Sequence, residues 1–173
     1  MSEWWRPSKS GDIKPIPWLA PKVIEHLESL LTPDMEVIEH GSGGSTLWFA
    51  ERVKHVIAME SDIDWFQIVK SKCPDNARVL FGIANVWTWE ENQKRDLFLI
   101  DGEPVIGRNK WLTASPNLVK PGGWVVLDNA NRPEYAAERE WLKQQAAEYL
   151  SMDANEGGTR FMVTDFFKMK EGE

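Results

Sequence analysis

A glycine-rich run separates an apolar stretch from a helix-like segment early in the chain. Gly41, Gly43 and Gly44 directly follow the apolar stretch 37–40, which is typical of a buried parallel strand. The segment 45–52, which has helical character, comes next. Glycines allow positive φ and close approach to the backbone, and a helix start offers free N–H groups. The pattern predicts a site for a nucleotide-like ligand.

An acidic residue follows at the position where such a ligand needs one. Glu60 ends a second apolar run, 55–59. A carboxylate there accepts hydrogen bonds from both hydroxyls of a ribose. Together, the glycine run and Glu60 predict an adenosyl-type cofactor. The alternatives are a tight turn that binds no ligand and a solvated acid that caps the next helix.

Two further carboxylates end apolar runs. Asp101 follows the run 96–100, and Asp128, with Asn129 after it, ends the predicted strand 122–128. A carboxylate at a strand's carboxyl end faces the ligand crevice, and burial there raises its pKa toward general-base use. Asp101 is the first candidate base and Asp128 the second. The alternative is structural, with these residues ordering the turns that follow their strands.

Alternating strands and helices must position these groups. We predict strands near 35–40, 54–59, 77–81, 96–100 and 122–128, and helices near 21–31, 45–52, 62–72, 107–119 and 133–148. This alternation favours a parallel sheet with helices on both faces. Residues 149–153 and 159–168 have the pattern of a final β-hairpin. We predict one domain, 1–173, in which residues 1–17 form an irregular N-terminal arm and residues 121–123 a helix stop.

Composition limits the classes of function. The chain has 173 residues, 27% of them charged, and a formal net charge of −7. This balance argues against broad electrostatic binding to nucleic acid or to an anionic membrane. We find no apolar stretch of the roughly 18 residues that a membrane span needs. The single cysteine, Cys73, excludes an internal disulfide. We expect a cytoplasmic protein that contacts neither a membrane nor nucleic acid.

With these motifs in order, residues 18–168 resemble the class I S-adenosylmethionine-dependent methyltransferases. The run 39–46 is similar to that family's first motif, and Glu60 to the acid that ends its second strand. The runs 96–102 and 118–129 are similar to its fourth- and fifth-strand segments. The resemblance implies a Rossmann-like α/β fold with a seven-stranded, mostly parallel sheet of order 3-2-1-4-5-7-6. It also implies an antiparallel C-terminal hairpin and helices on both faces.

The resemblance further implies that S-adenosylmethionine binds across the carboxyl ends of strands one and two. Gly41, Ser42 and Gly43 would approach its methionine and ribose. Glu39 would orient the loop or meet the methionine ammonium, and Glu60 would hold the ribose hydroxyls. The implied cofactor-binding set is Glu39, Gly41, Ser42, Gly43, Ser45, Thr46, Glu60, Ser61, Ala84, Asn85 and Asp101.

The chain departs from the family near the adenine. Many relatives carry an acid soon after strand three, whereas the stretch 81–86 has no carboxylate, so Asn85 or a backbone carbonyl would serve instead. The chain is also short, which leaves little room for insertions that shape an acceptor pocket. The N-terminal arm or a second subunit of a homo-oligomer would then meet the acceptor. Packing explains most of the ten tryptophans, and the alternative is an aromatic pocket built from Trp4, Trp5, Trp18, Trp87 and Trp89.

The resulting prediction is methyl transfer to a hydroxyl of a small molecule or saccharide, with an amine as the less favoured acceptor. The protein would contribute alignment and a base, Asp101 or Asp128. Some cation-dependent O-methyltransferases of this fold bind a divalent metal, and Asp101, Asp128 and Asn129 would be its ligands here. We do not favour a metal. Arg108 and Arg132 would meet an anionic acceptor or form surface ion pairs.

Three alternatives remain at this point. An NAD-dependent oxidoreductase is less favoured, because its fingerprint needs a third glycine where Thr46 stands. A non-catalytic module of the same fold would bind the cofactor or a partner only. The third alternative is an enzyme that cleaves the cofactor, since fold does not fix chemistry.

Overall fold

Strands and helices alternate along most of the chain, as the sequence predicts. The computed structural model describes residues 12–82, 94–102, 107–153 and 163–172. Its helices are Pro21–Leu30 (α1), Gly44–Ala50 (α2), Ile63–Lys70 (α3), Arg108–Leu118 (α4) and Ala136–Gln145 (α5). Its strands are Glu36–His40 (β1), His55–Glu60 (β2), Ala77–Phe81 (β3), Arg95–Ile100 (β4), Val119–Leu127 (β5), Ala146–Asp153 (β6) and Val163–Met169 (β7). None of the described helices is long and apolar enough to cross a membrane.

The seven strands form one sheet of order β3-β2-β1-β4-β5-β7-β6. Neighbours among β1 to β5 are parallel, and β7 runs antiparallel to both β5 and β6. β6 and β7 are the hairpin predicted at the end of the chain. The strand order and this hairpin confirm the fold that the resemblance implies.

Helices cover both faces of the sheet. On one face, Leu27 of α1 and Phe49 of α2 pack in a cluster with Val37 of β1. On the other face, Trp111 of α4 packs in a cluster with Ile38 of β1. Side chains alternate along a strand, so the residues that follow Val37 and Ile38 also point to opposite faces. Glu39 therefore points toward α2, and His40 toward α4.

The register brings the carboxyl ends of four strands to one level. His40 of β1 lies beside Met59 of β2 and Ile100 of β4. Ile100 in turn lies beside Leu127 of β5. The residues directly after these ends therefore share one edge of the sheet. In open parallel sheets, this edge holds the ligand crevice.

Two element boundaries differ from the prediction. The helix predicted near 133–148 gives way to β6 at Ala146, because pairing with β7 outweighs the local helical pattern. β5 starts earlier than predicted and includes Pro121, which we expected to lie in a stop. Gly123 permits close pairing there, since a Cβ added to it would lie 2.7 Å from the backbone oxygen of Asp96.

Residues 12–20 precede α1 in the chain and form no helix or strand. In the fold they pass over the start of α2. A Cβ added to Gly44 would lie 2.6 Å from the backbone oxygen of Lys14 and closer still to that of Ile16. Ile13 packs against the cluster that joins α3 to the sheet. Because α2 and α3 begin right after the carboxyl ends of β1 and β2, this segment lies at the crevice edge.

Candidate functional site

The turn 41–44, here called the glycine loop, joins β1 to α2, and Glu39 holds it from inside the protein. Glu39 is 1% exposed and accepts hydrogen bonds from Ser45 Oγ and, at 2.6 Å, from Thr46 Oγ1. Thr46 Oγ1 itself accepts from Gly43 N at 2.9 Å. Burial raises the pKa of Glu39 to about 7, against the two hydroxyl hydrogen bonds. Glu39 thus makes the contacts expected of a residue that orients the loop.

Glu60 joins the glycine loop to the start of α3. Its Oε2 accepts from Ser42 N at 3.2 Å and from Ser42 Oγ at 2.9 Å. Its Oε1 accepts from the backbone N–H groups of Ser61 at 2.8 Å and Asp62 at 2.9 Å. Each carboxylate oxygen offers two acceptor positions, so these four donors fill them. A ribose would displace a donor, and the Ser42 hydroxyl is the one that can rotate away.

Trp65 is a contact of the glycine loop that the sequence patterns missed. Its Nε1 donates to the backbone oxygen of Ser42 at 2.8 Å. Trp18, from the segment before α1, stacks on it with ring centroids 6.4 Å apart and is 63% exposed. Asp62 is the N-cap of α3 and accepts from Trp65 N, whereas the ring contacts of Trp65 depend on tertiary packing. The other tryptophans expected in an aromatic pocket lie outside the described residues: Trp4, Trp5, Trp87 and Trp89.

Two glycines bring the loops after β1 and β4 into contact. Gly41 has φ 99°, in the left-handed region that favours glycine. A Cβ added to Gly102 would lie 2.6 Å from Gly41 N and 2.8 Å from the carbonyl carbon of His40. The backbone N–H of Asp101 donates to His40 O at 3.1 Å. The glycine loop therefore packs directly against the backbone at Asp101.

A second group of polar residues, here called the acidic cluster, lies at the ends of β4 and β5. It consists of Asp101, Arg108, Asp128, Asn129 and Thr164. Asp128 is 7% exposed, and its two oxygens accept from Thr164 Oγ1 at 2.8 Å and Asn129 Nδ2 at 2.7 Å. The Asp101 and Asp128 side chains are hydrogen-bonded to each other. The Asp101 side chain is 29% exposed, so a ligand at this edge can reach it.

Arg108, at the start of α4, carries the positive charge of the acidic cluster. Its Nε donates to Gly102 O at 3.0 Å, and its Nη1 to Asp128 O at 2.7 Å. Its Nη2 donates to Asp101 O at 2.5 Å and lies 3.3 Å from Asp101 Oδ1. The side chain is only 1% exposed. The surface ion pair expected for Arg108 is therefore wrong, because its ion pair with Asp101 is buried, whereas a contact with an anionic acceptor stays a prediction.

The environment of the acidic cluster raises the pKa of both of its carboxyl groups. Burial is the main cause that raises the pKa of Asp101 well above its ordinary value, and the neighbouring Asp128 carboxylate raises it further. The charge of Arg108 acts in the opposite direction and lowers it. Burial also raises the pKa of Asp128, against the hydrogen bond from Thr164. Both shifts favour the protonated carboxyl over the carboxylate, and the shift is larger for Asp101. The direction of the Asp101 shift agrees with the prediction for a general base.

His40 lies beneath the acidic cluster as a neutral imidazole. It is 2% exposed, and its ring centroid lies 5.3 Å from that of Trp111. Burial, followed by the charge of Arg108, lowers the pKa of His40 to about 3. Nδ1 has no hydrogen-bond partner within the part of the chain that the structure describes. His40 therefore packs under the site and takes no part in its charge balance.

The acidic cluster does not fit the divalent metal considered from the sequence. Both carboxylate oxygens of Asp128 already accept hydrogen bonds, and Asn129 Oδ1 accepts from Arg132 Nη2 at 2.9 Å. The guanidinium of Arg108 lies against Asp101. Over the described ranges, no three His, Cys, Asp or Glu side chains are arranged to hold a metal ion. The oxygens that would be ligands are used within the protein.

The remaining predicted site residues fall into two groups. Ser61 is exposed at the start of α3, next to Glu60, whereas Ala84 and Asn85 lie outside the described residues. The sequence patterns did not point to Thr164, nor to Tyr135, whose hydroxyl donates to Asn129 O at 2.6 Å. A hydroxyl residue inside the apolar strand β7 is the only signal that could have pointed to Thr164.

No known family model matches this sequence, and no curated protein is significantly similar to it. Solved structures do resemble the fold. An O-methyltransferase from Bacillus cereus in complex with SAH has a TM-score of 0.67 at 19% identity, over 88% of this chain and 82% of that one. An rRNA methylase from Streptococcus thermophilus has a TM-score of 0.69 at 12% identity, over 90% of this chain and 100% of that one.

A third structure, precorrin 8w decarboxylase from Methanobacterium thermoautotrophicum, has a TM-score of 0.64 at 20% identity, over 94% of this chain and 99% of that one. These likenesses show that the chain has the class I methyltransferase fold. The three proteins differ in reaction and substrate, so the fold by itself does not select an acceptor.

Proposed function

We propose that this protein is an S-adenosylmethionine-dependent methyltransferase that acts on a hydroxyl of a small molecule or saccharide, with an amine as the alternative. One observation carries the proposal: two suitable regions meet at one sheet edge. The glycine loop and Glu60 have the residue types that hold an adenosyl group. Beside them, Asp101 offers a partly exposed carboxyl with a raised pKa. The Bacillus cereus protein of the same fold binds SAH, which supports this cofactor.

The glycine loop would hold the cofactor with Glu60. Rotation of the Ser42 hydroxyl frees an acceptor position on Glu60 Oε2 for a ribose hydroxyl. A Cβ added to Gly43 would have only the Trp65 side chain within 4 Å, at 3.7 Å, so the backbone there is open to close approach. Glu39 would keep the loop in place from below. The other proposed contacts are Gly41, Ser45, Thr46, Ser61, Ala84, Asn85 and Asp101.

When bound, S-adenosylmethionine supplies an electrophilic methyl group. The residues of the chain align the acceptor oxygen for in-line displacement and take its proton as the C–O bond forms. Asp101 is the proposed base, because its side chain is 29% exposed at the crevice edge. Asp128, bonded to Asp101, is the second candidate. Asp101 acts as a base only above its raised pKa, so the transfer rate would rise with pH through that value.

Calorimetry tests the cofactor directly. We expect S-adenosylmethionine and SAH to bind in the micromolar range, with NAD showing no binding as the control ligand. If neither adenosyl ligand binds, the proposed function fails. Binding of NAD alone would favour an oxidoreductase instead.

Two substitutions at one hydrogen bond test the role of Glu60. Glu60→Gln removes the negative charge and replaces one acceptor oxygen by an amide NH₂ group, whereas Ser42→Ala removes the hydroxyl that donates to Glu60 Oε2. If Glu60 binds the ribose, Glu60→Gln weakens SAH binding by about tenfold or more, as loss of a hydrogen bond to a charged group predicts. Ser42→Ala leaves SAH binding unchanged or tighter, because it frees an acceptor. Equal weakening by both variants would mean that Glu60 only holds the loop.

A labelled-methyl assay tests the acceptor and the base. Labelled S-adenosylmethionine is supplied with panels of phenols, saccharides, amines and RNA, using wild-type protein and Asp101→Asn. We expect label in a hydroxyl compound and a large loss of rate in Asp101→Asn at saturating S-adenosylmethionine, which separates loss of the base from loss of a cofactor contact. Transfer to RNA alone would overturn the small-molecule acceptor. Full activity of Asp101→Asn would exclude Asp101 as the base.

A further inference from the structure

The acidic cluster presents a contradiction between its sequence and its geometry. An acid after β4 and an Asp-Asn pair after β5 are oxygen donors of the kind that Mg²⁺ prefers. In the structure, however, Asp128 and Asn129 direct their oxygens to donors of the protein itself. The negative charge of the two carboxylates must therefore be balanced by a positive charge other than a metal ion.

Arg108 supplies that charge in a fixed position. Its guanidinium donates to the backbone oxygens of Gly102, Asp101 and Asp128 and lies 3.3 Å from Asp101 Oδ1. These contacts tie the loop after β4 to the loop after β5. The side chain is 1% exposed, so the guanidinium is enclosed by these contacts within the described part of the chain.

Charge counting also opposes a divalent ion. With both carboxylates ionised, Arg108 leaves the cluster a single negative charge, and a shared proton leaves none. A divalent ion would add two positive charges to a site where Asp128 is 7% exposed. Uncompensated charge in a buried site is strongly unfavourable.

We infer that Arg108 takes the place of a divalent cation in this site. It is a positioning residue that holds the Asp101 carboxyl at the crevice edge, and the protein needs no metal there. The inference goes beyond the proposed reaction. It concerns ion binding by the free protein, so it stands or falls whether or not methyl transfer is found.

Titration with Mn²⁺, followed by the electron paramagnetic resonance signal of the free ion, tests the inference. We expect wild type and Arg108→Lys, which both keep the positive charge, to show no Mn²⁺ site. Arg108→Met removes the charge and leaves two carboxylates without a cation. This variant should bind one Mn²⁺ at least about tenfold more tightly than wild type, as loss of a nearby positive charge predicts. A second substitution, Asp128→Asn, should abolish that gain.

Two results would overturn the inference. One is a Mn²⁺ site in wild type that Asp128→Asn removes. The other is a folded Arg108→Met that binds Mn²⁺ no better than wild type. If Arg108→Met does not fold, as circular dichroism would show, Arg108→Gln removes the charge while keeping a donor for the backbone oxygens. Arg52→Met is the matched control, since Arg52 pairs with Glu28 and Glu51 outside the acidic cluster and its loss should leave Mn²⁺ binding unchanged.

Discussion

The two regions at the carboxyl edge of the sheet stabilise their carboxylates in different ways. In the glycine-loop region, Glu39 and Glu60 accept hydrogen bonds from hydroxyls and backbone N–H groups. These donors belong to the strand-turn-helix units that also supply the acids. In the acidic cluster, Asp101 and Asp128 lie beside a full positive charge, the guanidinium of Arg108 at the start of α4.

This difference shows which property each region depends on. Backbone dipoles are set by local geometry, so the glycine-loop region should be most sensitive to changes in backbone shape and in packing against the loop. A buried guanidinium is a full charge, so the acidic cluster should be most sensitive to changes in charge. The following predictions test this contrast, beginning with the largest effect.

Removing the guanidinium should have the largest effect on stability. Arg108→Met leaves backbone oxygens and the Asp101 carboxyl without their donor inside the protein. Breaking such a buried charge contact costs about 3–5 kcal/mol in the free energy of unfolding. Urea denaturation measures the change, with Arg132→Met as a control expected to cost about 1 kcal/mol or less. An equal loss in the free energy of unfolding for the two variants would show that the acidic cluster is not especially sensitive to the loss of this buried charge.

Stability should depend on pH through Glu39. Its pKa is 4.5 in the unfolded reference and about 7 in the folded protein, so the unfolded chain loses this proton first as pH rises. The free energy of unfolding should therefore fall between these two values, by about 3 kcal/mol from this group.

Glu39→Gln keeps an acceptor for Ser45 and Thr46 but does not titrate. Urea denaturation across the same pH range should give a flatter profile for this variant than for wild type. The charge of Glu39 also contributes to the raised pKa of Asp101, so the difference between the profiles reports Glu39 together with its effect on Asp101. Identical profiles would show that folding does not raise the pKa of Glu39.

A methyl group at the contact between the two regions should affect both. Gly102→Ala places a Cβ 2.6 Å from Gly41 N, so the loops after β1 and β4 must move apart. Such overpacking costs about 1–3 kcal/mol, and we expect SAH binding to weaken as well. Gly172→Ala is the matched control, since its Cβ would lie 3.5 Å from Pro121 in ordinary contact. If Gly102→Ala destabilises the protein without changing SAH binding, the two regions act independently.

The smallest effect should follow the loss of one hydrogen bond on the glycine loop. Trp65→Phe keeps an aromatic ring under Trp18 but removes the Nε1 donor to Ser42 O. We expect a loss of about 1 kcal/mol in stability and a several-fold weaker SAH affinity by calorimetry. Phe66→Leu, elsewhere on α3, is the control for packing. Unchanged SAH affinity in Trp65→Phe would show that the indole N–H does not set the loop geometry.

The sequence patterns could predict the sheet and the glycine loop because their determinants are local. The apolar runs and the glycines near Gly41 report the turn between β1 and α2 without any knowledge of packing. The same reasoning found Glu60 from its position at a strand end. The sequence could not show that four donors occupy the acceptor positions of the Glu60 carboxylate, because that depends on how the start of α3 packs against the glycine loop.

The acidic cluster was only half predictable, for a physical reason. Asp101 and Asp128 stand at strand ends and were visible, whereas Arg108 and Thr164, which contact Asp128, come from other parts of the fold. Arg108 lies twenty positions from Asp128, and Thr164 lies thirty-six positions from it. An arginine at a helix start looks like a surface residue until the packing of α4 buries it. Sequence patterns that report exposure fail at such positions.

The position of β7 has a consequence for synthesis of the chain. β7 is made last but lies inside the sheet, between β5 and β6. Until it emerges from the ribosome, β5 presents an unpaired edge, and Asp128 lacks the donor that Thr164 supplies. A nascent chain that stops before β7 would therefore expose a strand edge of the kind that promotes aggregation. Such a chain is a substrate for chaperones, while the segment that carries the glycine loop has already been synthesised in full.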